Sequence, residues 1–263
     1  MQGFLQKLKK APGVLLCWGL FVLLLVGCGK EPAPLRIAAA SNLRYVLPKI
    51  AQEFTETTGT ECELIFSSSG KLTAQIKAGA PYDLFLSADE RYPAELHRVG
   101  QTEGEPVVYA RGQLALWQIG NMFPFLGELN VPDIEKIALP NPMTAPYGRA
   151  AVEALRSVGL ADSVRGKLVY GESVAQASQF VYAGAADVGF TTVSFLNHPN
   201  ADIDLPFSWL PVDTAAYTPI YQSVVVMKGG DATQQEAARA FQHYLLSPRG
   251  QYILTWHGYL RVP

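Results

Sequence analysis

The chain has 263 residues, 49% apolar and 17% charged, an ordinary globular balance with length for one large domain or two smaller ones. The formal net charge of −2 hides an asymmetry. Residues 1–27 hold three of the 21 basic residues and none of the 23 acidic ones, so the remainder carries −5. That acidity argues against a nucleic-acid partner.

Lys7, Lys9 and Lys10 precede an apolar run from Val14 to Val26, the pattern of a secretory signal; the run is short for a membrane span, with an uncleaved anchor as the alternative. Its end, Leu25-Val26-Gly27-Cys28, is similar to a bacterial lipobox, in which the cysteine becomes the lipid-bearing first residue. Residues 1–27 are thus expected to be a signal peptide, and 28–34, with "KEPAP", a tether. The expected location is the periplasm or outer face of the cell envelope, with membrane contact only through lipid at Cys28. Cys17 lies inside the signal, which leaves Cys62 without a disulfide partner. Flanked by Glu61 and Glu63, Cys62 reads as a structural strand thiol.

"LRIAAAS" (35–41) reads as a buried strand. "LRYVLPKIAQEFTETTG" has apolar residues near helical spacing, with Pro48 marking a late start or a kink. "ECELIF" and "YDLFLSAD" are strands, followed by the helical "GKLTAQIKAG" and "RYPAELHRVG". This alternation predicts a parallel α/β sheet. "EPVVYARGQLALW" (105–117) is a long extended run. A second series follows: strands in "KIALPNP", "GKLVYGES" and "ADVGFTTVSFL", helices in "GRAAVEALRSVG" and "VAQASQFVYAG". A second long run, "TPIYQSVVVMKGG" (218–230), precedes two C-terminal helical segments. The two runs are the candidate crossings between lobes. They divide the chain into 35–111 with 222–263 as the first lobe and 112–221 as the second, with a cleft between.

Several enzyme classes lack their signatures. His97, His198, His243 and His257 are scattered, with no metal-ligand spacing, and no Walker A, G-x-G-x-x-G or G-x-S-x-G sequence occurs. Ser68 and Lys71 form S-x-x-K, as in penicillin-recognising acyl-enzymes, but the partner motifs S-D-N and K-T-G are absent. A different pattern recurs. Strand-to-helix junctions carry Ser41-Asn42, Ser67-Ser68-Ser69, Tyr147-Gly148 and Ser173-Val174. Such junctions offer hydroxyls and free N–H groups, which suit an acceptor-only oxyanion; four independent helix caps are the plainer alternative.

"AAASNL", "SSSGKLTAQIKAGAPYDLFLSAD", "NPMTAPYGRAAVEAL" and "GESVAQASQFVYAGAADVGF" together resemble the molybdate-binding proteins of bacterial ABC transporters, in order from about residue 35 to 263. The resemblance implies a two-lobed type II periplasmic-binding-protein fold. It implies capture of molybdate, often tungstate too, and delivery to a membrane permease. A monomer without a cofactor or an enzymatic activity is expected. Carried over by motif, the ligand residues are Ser41, Asn42, Ser69, Tyr147 and the backbone N–H of Val174. Some members carry a tyrosine after "GIV", where this chain has Thr192 with a much shorter hydroxyl. The same carry-over makes Ser68 a support for the turn and leaves Lys71 facing solvent or the cleft rim. Binding of another oxyanion or small anionic solute is the alternative.

Overall fold

The computed structural model describes residues 33–122, 125–197 and 203–262. The expected signal peptide and Cys28 lie outside the described residues.

The chain forms two five-stranded sheets of matching design. The first contains β1 (Leu35–Ala40), β2 (Cys62–Ser67), β3 (Leu84–Leu86), β4 (Val107–Gly112) and the late strand β10 (Ile220–Val226), in the order β2-β1-β3-β10-β4. β1 runs parallel to β2 and β3, whereas β10 is antiparallel to β3 and β4. The second contains β5 (Leu114–Ile119), β6 (Ile137–Pro140), β7 (Leu168–Gly171), β8 (Val188–Thr192) and β9 (Phe207–Pro211), in the order β7-β6-β8-β5-β9. Here β6 is parallel to β7 and β8, and β5 is antiparallel to β8 and β9.

Helices cover the sheets as their apolar spacing requires. α1 (Leu47–Thr58) turns Leu47, Ile50, Ala51 and Phe54 inward. Pro48 stands in its first turn, where a missing N–H costs nothing, and Gly59 ends it at φ 73°. The Phe54 ring meets Phe241 of α7 (Ala232–Leu246) edge-on at 5.0 Å, inside a core that also holds Leu35, Ile37 and Leu84. α2 (Ser69–Lys77) and α3 (Arg91–Arg98) pack with Ala38 and Phe85. In the second lobe α4 (Pro146–Ser157) buries Ala151, Ala154 and Leu155 with Leu139, Val188 and Phe190. α5 (Val174–Tyr182) packs through Ala177 and Val181 against Ala138 and Trp117.

The run 105–117 breaks at Gln113 into β4 and β5, which belong to different sheets. Two features depart from the sequence reading. Ile220 and Tyr221 pair with Gly112 and Arg111, so pairing draws Gly112, Ile220 and Tyr221 into the first sheet. "ADVGFTTVSFL" leaves the sheet at Thr192, whose side chain accepts the Phe195 amide and starts the short helix α6 (Val193–Leu196). The remaining helix is α8 (Pro248–Trp256).

Candidate functional site

The parallel strands of both sheets deliver their C-terminal ends to one region. β1 runs directly into a 3-10 turn, Ser41–Leu43, and α5 of the other lobe packs against that turn. The apolar cluster under the region joins Ala40 and Ala88 of the first lobe to Tyr147 and Val174 of the second. α2 opens opposite the loop that precedes α4, and the Gly70 amide donates to the Thr144 carbonyl across the gap at 2.9 Å. Ser41, Ser69, Tyr147 and Val174 are therefore gathered at the meeting of the lobes, and all are buried.

The junction of three serines divides its labour. Ser68 is the N-cap of α2, its Oγ accepting the Lys71 amide at 3.4 Å. Ser69 is the first helical residue, and its Oγ accepts the Ala88 amide at 3.0 Å. A hydroxyl that accepts from the protein keeps its own proton for another acceptor. α5 repeats the arrangement, with Ser173 capping through the Gln176 amide and leaving Val174 as the first residue of the helix. At α4 no side chain caps the helix, and Pro146 precedes Tyr147 in the first turn. First-turn amides have no intrahelical partner and carry the positive end of the helix dipole.

Tyr147 continues the pattern. Its Oη accepts from Gln222 Nε2 at 2.9 Å, and among the described residues no protein group accepts its proton. Burial, with the Tyr259 and Tyr217 phenols nearby, pushes Tyr147 well above the usual tyrosine pKa of 10, so it remains a neutral donor. Gly112 is required beside it: a Cβ there would stand 2.1 Å from Tyr147 Oη and 2.5 Å from Gln222 Nε2. The site is thus built of neutral donors.

The side chains of Asn42 and Thr192 are committed within the protein. Both hydrogens of Asn42 Nδ2 are spent, on Gln222 Oε1 at 2.9 Å and on Tyr259 Oη at 3.0 Å. Its backbone N–H, rather than its carboxamide, is what Asn42 has to offer a ligand. Thr192 Oγ1 accepts the Phe195 amide at 3.0 Å and lies 2.8 Å from Ser194 Oγ. Ser194 in turn donates to Tyr259, so the Thr192 proton goes to Ser194, and the hydroxyl has nothing left for a ligand. Gln222, Tyr109 and Tyr259, which complete this buried network, were not singled out from the sequence. The signal for Gln222 was a lone amide inside the apolar run "IYQSVVV".

The S-x-x-K arrangement is not a nucleophile and its base. Lys71 Nζ pairs with Glu172 of the other lobe at 2.5 Å, on an exposed rim, while Ser68 serves the Lys71 backbone. Asp89 and Arg149 form a second ion pair between the lobes, and Tyr92 Oη donates to the Met143 carbonyl at 3.2 Å. Among the described residues, no three His, Cys, Asp or Glu side chains come together as a metal site.

Residues 35–260 match the family model described as bacterial extracellular solute-binding protein. The chain belongs to that family. This solute-binding protein is 35% identical over 240 residues to the molybdate-binding protein ModA of Azotobacter vinelandii, covering 89% of the chain and 93% of the relative. It is 34% identical to the ModA of Rhodobacter capsulatus, covering 85% of the chain and 86% of the relative. The solved Azotobacter vinelandii periplasmic molybdate-binding protein superposes with a TM-score of 0.79 at 31% identity, covering 87% of this chain and 99% of that one. The sulfate-binding protein SubI of Mycobacterium tuberculosis superposes at 0.71 with 14% identity over 88% of both chains, a likeness of fold alone. The two-lobed α/β fold of the solute-binding protein is that of periplasmic binding proteins.

Proposed function

We propose that this solute-binding protein captures molybdate, and tungstate with it, between its two lobes and delivers it to the membrane permease of an ABC transporter. One observation carries the reading. Ser69 and Tyr147, in the first turns of α2 and α4 on opposite lobes, each accept a hydrogen bond from the protein and so keep an O–H to give to a ligand. A tetrahedral dianion accepts and never donates, so a nest of neutral donors matches it without a buried counter-charge. The ligand set is Ser41 and Ser69 through their hydroxyls, Asn42 and Val174 through backbone N–H, and Tyr147 through its phenol. Thr192 is left out because its hydroxyl is committed to α6 and Ser194. The relatives named as molybdate-binding support this choice of anion. No cofactor enters the reading.

Calorimetric titration with molybdate, tungstate, sulfate and phosphate tests it. Saturable binding of the first two is expected. Absence of molybdate binding, or turnover of a bound solute, would overturn it. The protein acts outside the cytoplasm as a monomer held by lipid at Cys28. Intact-mass analysis of protein from native membranes should show an acylated Cys28 as the first residue.

A further inference from the structure

Gln222 is fully buried on β10, at the point where the pairing of β10 with β4 shifts register. Its Oε1 accepts from Asn42 Nδ2 at 2.9 Å and from Tyr109 Oη at 2.8 Å, and its Nε2 donates to Tyr147. Taken alone, such a chain of amides and phenols could be reversed by turning both carboxamides over. Its far end cannot be reversed. Tyr259 Oη donates to the main-chain carbonyl of Asn42 at 3.0 Å, and a carbonyl can only accept. With that proton committed, the Tyr259 oxygen accepts from Asn42 Nδ2, as it does from Ser194 Oγ at 3.3 Å. Asn42 then presents a donor to Gln222, and Gln222 presents a donor to Tyr147.

From this chain of donors we infer that Gln222 is a positioning residue that fixes the direction of the Tyr147 hydroxyl, so that the phenol donates to the bound solute and cannot accept from it. The inference rests on the proposed reading in which Tyr147 faces the oxyanion. It names a property of the solute: an oxyanion without a proton. A monoprotonated anion such as hydrogen phosphate would bring its O–H against a phenol turned the wrong way, and an unmade hydrogen bond at a buried site is costly. The polarity of the network is anchored on backbone, so the direction of the phenol is set wherever Gln222 and Tyr147 meet.

Gln222→Glu is the test, since the side chain keeps its shape. The titratable groups in contact with Gln222 are the Tyr109 and Tyr147 phenols, with Tyr259 beyond Asn42. Burial raises all three, Tyr259 to about 12, so wild-type affinity should be flat from mildly acid to mildly alkaline pH. In Gln222→Glu a protonated carboxyl can donate to Tyr147 as the amide does. An ionised one can only accept, so the phenol donates its hydrogen bond to the carboxylate instead of to the solute. Molybdate affinity in this variant should fall as pH rises, by roughly 10- to 150-fold, the worth of one hydrogen bond to a charged group. Repulsion between carboxylate and dianion would persist in a Tyr147→Phe background, but loss of the phenol's donation would not. The pH-dependent fall should therefore shrink in the double variant. A flat profile in Gln222→Glu, or an equal fall in the double variant, overturns the inference. If Tyr147→Phe alone binds like wild type, the inference fails while the oxyanion reading stands on Ser69 and the helix amides. If the wild type binds no molybdate, the reading itself fails.

Discussion

Gly70 offers the sharpest test of how the lobes meet. It is the second residue of α2 and does not have a positive φ, so its backbone accepts alanine without strain. Within a helix that exchange favours the fold by roughly 0.5–1 kcal/mol. Across the cleft it does the opposite. A Cβ at this position would stand 2.6 Å from Tyr92 Oη, 2.9 Å from Thr144 Cα and 3.0 Å from the Thr144 carbonyl oxygen. The tyrosine hydroxyl can swing aside, at the expense of its bond to the Met143 carbonyl, but the backbone at Thr144 cannot yield without moving the whole loop. Overpacking of this kind costs about 1–3 kcal/mol, and it spares any state in which the lobes stand apart. Gly70→Ala should therefore leave thermal unfolding of the ligand-free protein unchanged or slightly raised. Its molybdate affinity should fall roughly 5- to 150-fold. Calorimetry gives the affinity, and small-angle scattering should show a smaller ligand-induced compaction than in the wild type. Wild-type affinity in Gly70→Ala would refute the reasoning, because the contact to Thr144 would then not belong to the ligand-bound state.

Other substitutions separate binding from folding. Ser69→Ala should weaken molybdate binding by roughly 10- to 150-fold and also cost stability, about 1–3 kcal/mol, because the buried Ala88 amide loses its acceptor. Ser68→Ala should cost about 1 kcal/mol of stability as a lost cap, with the smaller effect on affinity; the reverse order in titration would move the contact by one residue. Glu53 is held at a pKa of about 2, down from an ordinary 4.5, chiefly by hydrogen bonds from Arg249 and then by Lys49 and Tyr244. Its contribution is full above the unfolded value and is lost as pH falls from about 4.5 toward 2. Denaturant titrations across that window should show Glu53→Gln with a shallower acid loss than wild type. Burial, with Glu61 beside it, pushes the Cys62 thiol up to about 11, so alkylation at neutral pH should be slow in the native protein and fast in denaturant.

Much of this architecture was legible in the sequence because parallel strands are short apolar runs with helices between them. Even Pro48, awkward inside a helical pattern, falls where a first turn tolerates it. The losses have particular causes. β9 escaped notice because Pro206 precedes it and Pro211 is its last residue; it survives as an edge strand, paired on one side only with β5. The exact end of the first sheet was hidden, because Gly112, Ile220 and Tyr221 carry no mark of the sheet that they pair into. The helix at Val193 was hidden by β-branched residues that read as strand until Thr192 is seen to cap. Of the site, the strand-to-helix junctions announced themselves through their hydroxyls. The supporting network did not, since Asn42, Tyr109, Gln222 and Tyr259 are separated by up to 217 positions and meet only once both sheets are built. Motif resemblance could place Thr192 in the site but could not show that its proton was already taken.

The position of β10 governs the order in which the molecule can be assembled. Strands β5 to β9 are continuous in the chain, so the second sheet has all its material once residue 211 exists. The first sheet does not. β3 and β4 do not touch as neighbours, and β10 must slide between them, pairing Val226 with Leu84 and Ile220 with Gly112. A chain stopped before residue 220 therefore has two unsatisfied sheet edges and no keystone, whatever the quality of its other elements. Contacts this far apart in sequence are slow to form. A polypeptide emerging from its N-terminus has to wait for its last sixth before the first lobe can close up.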